Sequence, residues 1–168
     1  MAANPTTQPH GVQFEPMTKA NYERYIESAV PSYARDQIEA GNWNGETALD
    51  RAQAVFDRLL PEGLNSEGQS LDLIVDAASK EAVGHIWYAE ASHGDRRFVA
   101  LYDFLIYPTS RRRGYGSAAL AELDAVAARL GLHDVMLHVF GHNAAARALY
   151  RKMGYVETDV TMAKKLAP

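Results

Sequence analysis

Arg111-Arg112-Arg113-Gly114-Tyr115-Gly116-Ser117 follows an apolar run over residues 100–107 and opens a helix-patterned segment over 117–130. A strand, a short loop with two glycines and the first turn of a helix form a place to hold an anion. Glycine lets the backbone approach a ligand closely, and a helix's first turn has N–H groups without a helical partner. Those donors and the positive end of the helix dipole favour a phosphate. Three arginines beside them add charge and bidentate donors. Alone, the stretch reads equally as a phosphate cradle or a solvated basic turn, so its neighbours must decide.

Downstream, residues 117–130 place Ala119, Leu120, Leu123, Val126, Ala127 and Leu130 on one helical face, with Gly131 as the cap. Residues 134–139 read as a buried strand. Asn143 opens another helix with Ala146, Leu149 and Met153 inward, Gly154 closes it, and a last strand is expected over 155–164. Upstream, strands over 71–76, 83–91 and 98–107 are joined by Ala77-Ala78-Ser79-Lys80 and Ser92-His93-Gly94-Asp95, which makes an antiparallel meander. Before the meander come a short strand over 12–15 and a helical pattern over 18–40, closed by Gly41. Pro31 either splits or kinks that pattern. A helix over 45–60, with Asn44 as its N-cap, precedes the meander. Strand-helix-strand-helix-strand after the meander requires a parallel pairing. The expectation is one mixed α/β domain over residues 11–168, behind a loose polar arm over 1–10.

The 168 residues suffice for one domain with a full core, at 47% hydrophobic and 23% charged. A net charge of -4 argues against a nucleic-acid partner despite the three arginines. No apolar run approaches the ~20 residues that span a bilayer, so no membrane partner is expected. The first ten residues lack the basic end and apolar core of a secretory leader. With no cysteine, disulfides, thiolate metal sites and a cysteine nucleophile are excluded. These features favour a cytoplasmic enzyme or binding module.

Taken together, these residues resemble the GNAT superfamily of acetyl-coenzyme-A-dependent N-acetyltransferases. That family carries Gln/Arg-x-x-Gly-x-Gly/Ala between its fourth strand and the next helix, and Arg111-Arg-Arg-Gly114-Tyr-Gly116 matches it. A second motif, Asn-x-x-Ala-x-x-Leu-Tyr-x-x-x-Gly-Phe/Tyr, is met by residues 143–155, with Ala146, Leu149, Tyr150 and Gly154 in register. The order of elements from 12 to 166 fits the whole fold. The resemblance implies an antiparallel N-terminal meander with splayed parallel central strands, flanked by helices. It also implies acetyl-CoA as cosubstrate. Phe104, Leu105 and Ile106 are then expected along the pantetheine arm, paired through their backbone. Arg111, Arg112, Arg113, Gly114, Tyr115, Gly116 and Ser117 are expected around the pyrophosphate. Many members dimerise, but nothing in this sequence locates an interface.

Acetyl transfer to an amine requires removal of the amine's proton and protonation of the departing thiolate. The resemblance puts the thiolate's acid at Tyr150, which also fits a core-packing helix residue. Asn143 fits both an N-cap and a cofactor contact. For the base, His138 occupies the strand position where related N-terminal acetyltransferases carry a glutamate, and imidazole titrates near neutrality; a satisfied core histidine is the alternative. Asp103 competes, as the only charged residue in 100–107. His138 and His142 have a His-x-x-x-His spacing, but it spans a strand end and a loop with no glutamate after the first histidine, so no metal is expected. Without cysteine, direct attack in a ternary complex is the simpler route. A domain that holds acyl-CoA without turnover is the alternative. The acceptor should meet the N-terminal helices and residues 83–91, with Tyr25, Tyr33, Trp43, Trp87 and Tyr88 as aromatic candidates and Glu27 and Glu90 as amine attractors.

Overall fold

Five strands form one sheet in chain order: β1 (Val12–Pro16), β2 (Gln69–Asp76), β3 (Ala82–His93), β4 (Arg96–Ile106) and β5 (Val135–Leu137). The computed structural model describes residues 11–164 and 166; the arm expected over 1–10 lies outside them. The first four strands are antiparallel and β5 runs parallel to β4. The β2–β3 turn forms because the Asp76 carboxylate accepts from the N–H groups of Ala78 and Ser79, at 2.9 and 2.7 Å. At the β3–β4 turn, Gly94 supplies the left-handed residue, with φ of 60°.

Helices cover both faces. α1 (Lys19–Glu39) and α2 (Ala48–Leu59) bury Tyr25, Ala29, Val30, Ala52 and Phe56 with Leu71 and Trp87. On the other face α3 (Tyr115–Arg129) buries Ala119, Leu120 and Leu123 against Ile74, Ile86 and Val99. α4 (Ala144–Lys152) leans on that second cluster through Leu149 and Tyr150 but buries no residue fully. No described helix is long and apolar enough to cross a membrane.

One expectation narrows and two change. Of the two outcomes expected at Pro31, a split or a kink, the split does not occur: α1 runs through it with its buried stripe intact from Tyr25 to Ala34, the packing on both sides outweighing the one bond that proline cannot donate. Asn44 is not the cap of α2. Its side chain accepts from the Thr47 N–H at 3.1 Å, and Thr47 holds the cap position. No strand forms over 155–164 among the described residues. There Glu157 takes charge-assisted bonds from Arg147 and Arg151, at 2.8 and 2.6 Å, which tie this stretch to α4. Val156, Val160 and Met162 stay exposed.

The feature that positions the site is a register shift between β3 and β4. Trp87 pairs with Asp103, whereas Tyr88 pairs with Leu101, so Tyr102 is the extra residue of a β-bulge. Strict alternation would put Asp103 on the face of Val99 and Leu101, beneath α3. The bulge turns it to the α1 side instead. The β4–β5 pairing ends at Leu101–Leu137, so the two strands separate where the bulge begins.

The tyrosines give the fold a defined alkaline limit. Burial, aided by Asp72, pushes the Tyr88 hydroxyl up to about 12, and burial with the charge of Asp103 does the same to Tyr150. The fold therefore holds both phenols neutral, while the unfolded chain ionises near ~10. Stability from these shifts is fully present below pH ~10 and lost as pH rises toward ~12, by at most roughly 3 kcal/mol per group. Urea midpoints are expected to be flat from pH 7 to 9 and to fall steeply above ~10. A midpoint unchanged at pH 11 would contradict the burial of these hydroxyls.

Candidate active site

Asp103, re-aimed by the bulge, is the hub of the site. Its Oδ2 accepts the Tyr25 hydroxyl at 2.9 Å and lies 3.5 Å from Nε2 of His85. Tyr25 is 4% exposed and His85 6%, whereas a third of the Asp103 side chain is exposed. The Tyr25 ring meets His85 edge-on at 4.8 Å, which fixes the imidazole plane. Burial, then the Asp103 charge, holds the Tyr25 hydroxyl well above its ordinary value. That phenol is a fixed hydrogen-bond donor, not a base.

On α4, the Tyr150 hydroxyl is pushed up to about 12 by its burial and, second, by the charge of Asp103. Beyond Leu101 no described strand pairs with residues 103–106 on the β5 side. Leu105 turns its backbone groups to β3, the Phe104 N–H donates to Asp103 Oδ1 at 2.8 Å and the Ile106 carbonyl accepts from Arg111, which leaves the Phe104 carbonyl and the Ile106 N–H facing the gap.

The glycine loop forms a concave backbone. Arg112 and Gly114 both take left-handed conformations, with φ of 61° and 89°, and alternating handedness turns successive N–H groups inward as an anion nest. Gly114 is the N-cap residue of α3 and contributes no side-chain cap bond, so the amides of Gly116 and Ser117 in the first turn lack helical acceptors. The three arginines divide their work. Arg111 donates through Nε to the Ile106 carbonyl at 3.0 Å and staples the loop to β4. Arg113 lies over the Tyr115 ring at 5.3 Å. Arg112 is exposed. The Tyr115 hydroxyl donates to Asp76 at 2.8 Å, which anchors the start of α3 to β2. These residues fit a diphosphate: the first turn of α3 offers N–H groups without helical acceptors, and the charged side chains of the loop are all positive.

Asn143 is the N-cap of α4, its Oδ1 accepting from the Ala146 N–H at 3.1 Å. His138 lies just beyond β5, exposed, with its ring edge-on to Phe140 at 5.2 Å. Phe140 also stacks on His142 at 5.4 Å. His142 Nε2 lies 3.3 Å from Asp36 and 3.7 Å from Glu39, so its polar partners are on α1. Of the acceptor-side aromatics, Tyr25 and Trp87 are core, Tyr33 and Trp43 pack against that core, and Tyr88 lies on the α3 side. Glu90 is held by Arg97 at 2.8 Å, and Glu27 is exposed on α1.

His85 is the functional candidate that sequence reasoning missed. It sits inside an apolar stretch, Val83-Gly84-His85-Ile86-Trp87, and reads as one polar interruption of a strand. Only the register, with His85 opposite Leu105, makes Asp103 its diagonal neighbour. Gly84, beside it, is obligatory: a Cβ there would collide with the Leu105 carbonyl oxygen.

Comparison with known proteins agrees with this architecture. The family model described as "Acetyltransferase (GNAT) family" matches residues 34–155. The chain is 37% identical over 156 residues to YycN of Bacillus subtilis (strain 168), an uncharacterized N-acetyltransferase, covering 92% of this chain and 99% of that protein. A second uncharacterized N-acetyltransferase of that organism, YdgE, is 32% identical, covering 90% of this chain and 96% of its own length. The crystal structure of YycN superposes with a TM-score of 0.87 over 94% of this chain and 99% of YycN. A protein of Pyrococcus furiosus described as "Putative acetyl transferase", 21% identical over 94% of this chain and 99% of its own, shares the fold at a TM-score of 0.62. Through its sequence relatives, its family model and its mixed sheet, this chain belongs to the GNAT acetyltransferase family and is an acyltransferase.

Proposed function

We propose that the protein transfers an acetyl group from acetyl-CoA to a primary amine by direct attack within a ternary complex. The observation that carries this reading is the bulge that brings Asp103 together with His85 and Tyr25 on the α1 side of β4, where the β4–β5 pairing ends. Residues 111–117 would hold the pyrophosphate, the stretch Phe104, Leu105 and Ile106 would run along the pantetheine arm with the Phe104 carbonyl and Ile106 N–H for its amides, and Asn143 would stand at the mouth of the gap. Bound there, acetyl-CoA supplies a thioester carbonyl, to which the amine nitrogen bonds as the carbon–sulfur bond breaks.

Magnitudes decide between bases. A lysine-type amine has a pKa near ~10.4, an imidazole near ~6.5 and a carboxylate near ~3.9. Full proton transfer to imidazole is uphill by roughly 5 kcal/mol, and to carboxylate by roughly 9 kcal/mol. His85 is therefore the better acceptor of the amine proton, and Asp103 orients it and stabilises the imidazolium. His138, exposed beyond β5, is the competing imidazole.

Tyr150 supplies the donor for sulfur. With its hydroxyl at about 12, complete transfer to a thiolate near ~8.5 is uphill by roughly 5 kcal/mol. Its role is therefore to hydrogen-bond the departing sulfur, with the proton arriving from water. Tyr150→Phe is expected to lower kcat by about 10- to 100-fold, with the acetyl-CoA Kd within about threefold of wild type. Turnover equal to wild type would assign the donor to another group. The wider test is thiol release from acetyl-CoA with amines as acceptors. Tight acetyl-CoA binding without turnover on any amine would replace the enzyme reading with that of an acyl-CoA-holding module.

A further inference from the structure

A cleft of about 450 Å³ opens on the α1 side of the sheet, between the start of α1 and the ends of β2, β3 and β4. Its inner wall includes Tyr25 and His85, the two partners of Asp103, so the cleft leads to the proposed chemistry. Its other polar groups are Asn21, Arg24, Ser28 and Tyr107. Among the described residues no aspartate or glutamate lines it, although the chain as a whole has a net charge of -4.

Arg24 is the informative residue. Among the described residues it has neither an ion pair nor a hydrogen bond, so none of its five donors is committed to a described partner. Neighbouring acids do not neutralise it: Glu23 pairs with Lys19 at 3.8 Å, and Glu27 makes no ion pair with it. The first turn of the 21-residue α1 carries no acid, so its positive dipole end adds to the same field. The charge of Arg24 reaches the Tyr107 hydroxyl across the cleft. Met17, Leu73 and Leu105 give the cleft apolar lining.

We infer that the acceptor is an amine that also carries a carboxylate, bound by Arg24 at the mouth of the cleft while its amine reaches His85 and Asp103. An aliphatic amino acid has this distribution of charge. A polycation such as a polyamine or an aminoglycoside meets the wrong field and no acidic wall. The inference rests on the proposed transfer reaction and on the cleft being its acceptor side.

The test uses matched probes: 5-aminopentanoate with its amide, L-leucine with L-leucinamide, and spermidine. With acetyl-CoA saturating, the acid of at least one pair is expected to show a kcat/KM about 10- to 100-fold above its amide and above spermidine, the discrimination that a charge-assisted pair gives. Arg24→Gln should collapse that ratio toward one by raising the acceptor KM. Amides equal to acids, spermidine preferred, or a ratio that survives Arg24→Gln would overturn the inference. A rise in the acetyl-CoA KM instead would place Arg24 in the coenzyme site and also overturn it. Should no probe be turned over, the transfer reaction is what fails. Calorimetry of the same acids and amides on CoA-saturated protein then decides for Arg24: acid binding lost in Arg24→Gln supports the carboxylate contact, and equal or absent binding of acids overturns it.

Discussion

Replacing Asp103 by asparagine is expected to lower kcat by about 10²- to 10⁴-fold, the range that general-base catalysis contributes. Asparagine is the informative substitution because its one amide oxygen can still accept the Tyr25 hydroxyl, which is 4% exposed and bonded at 2.9 Å in the wild-type fold, while only the local bond that Asp103 Oδ1 accepts from the Phe104 N–H is given up. Alanine would leave that buried donor unsatisfied, at about 1–3 kcal/mol, and confuse folding with chemistry. With the amide, His85 loses the carboxylate that lies 3.5 Å from its Nε2 and orients it. His85→Gln should lower kcat by a similar factor, and His138→Ala should leave kcat near wild type. The reverse pattern, a rate lost only in His138→Ala, would transfer the base to the strand position that the family resemblance first pointed to. Acetyl-CoA affinity, read by calorimetry, should stay within about threefold in the Asp103 variant, because the cradle on α3 is separate from this cluster.

The contrast between Asp103 and His85 shows what a sequence can carry. Asp103 was visible as a charge within an apolar run, and the period-two rule correctly set it opposite Phe104 and Ile106. What covers that face depends on the bulge at Tyr102, a one-residue insertion in pairing that leaves no mark in hydrophobic alternation. His85 becomes meaningful only through that register. The glycine loop was legible because its signal is local: two glycines, an apolar strand before it and a helix period after it. The same holds for Asn143, whose cap bond to Ala146 follows from three-residue spacing. The strand expected over 155–164 failed for the opposite reason. Strand formation there needs a neighbouring edge, and Glu157 is instead held by two arginines of α4. Arg24 was invisible as well, since an arginine on an amphipathic helix reads as a solvated charge until the cleft around it is seen.

Gly116→Asp is expected to weaken acetyl-CoA binding by at least about 100-fold, about 3 kcal/mol, because it puts bulk and negative charge at the first turn of α3. The structure gives this glycine a second duty. A Cβ built at Gly116 would lie 2.9 Å from Leu149 Cδ2 and 3.9 Å from Ile106 Cγ1, so any side chain here presses on α4. The near atom is the end of a flexible side chain, and Gly116→Ala should be absorbed by a rotamer shift of Leu149 with a small loss in Tm. The aspartate must either enter the same contact or turn toward the anion nest formed by Arg112 and Gly114. Two readouts separate packing damage from loss of the cradle. Leu149→Ala opens the contact without adding charge, and should lower Tm while leaving acetyl-CoA affinity largely intact. Arg112→Glu sits on an exposed loop residue and should weaken binding by about 10-fold or more with no change in Tm. If Gly116→Asp does not fold, Arg112→Glu alone carries the test. Wild-type affinity in either acidic variant would remove the pyrophosphate from residues 111–117 and leave the three arginines as a solvated basic turn.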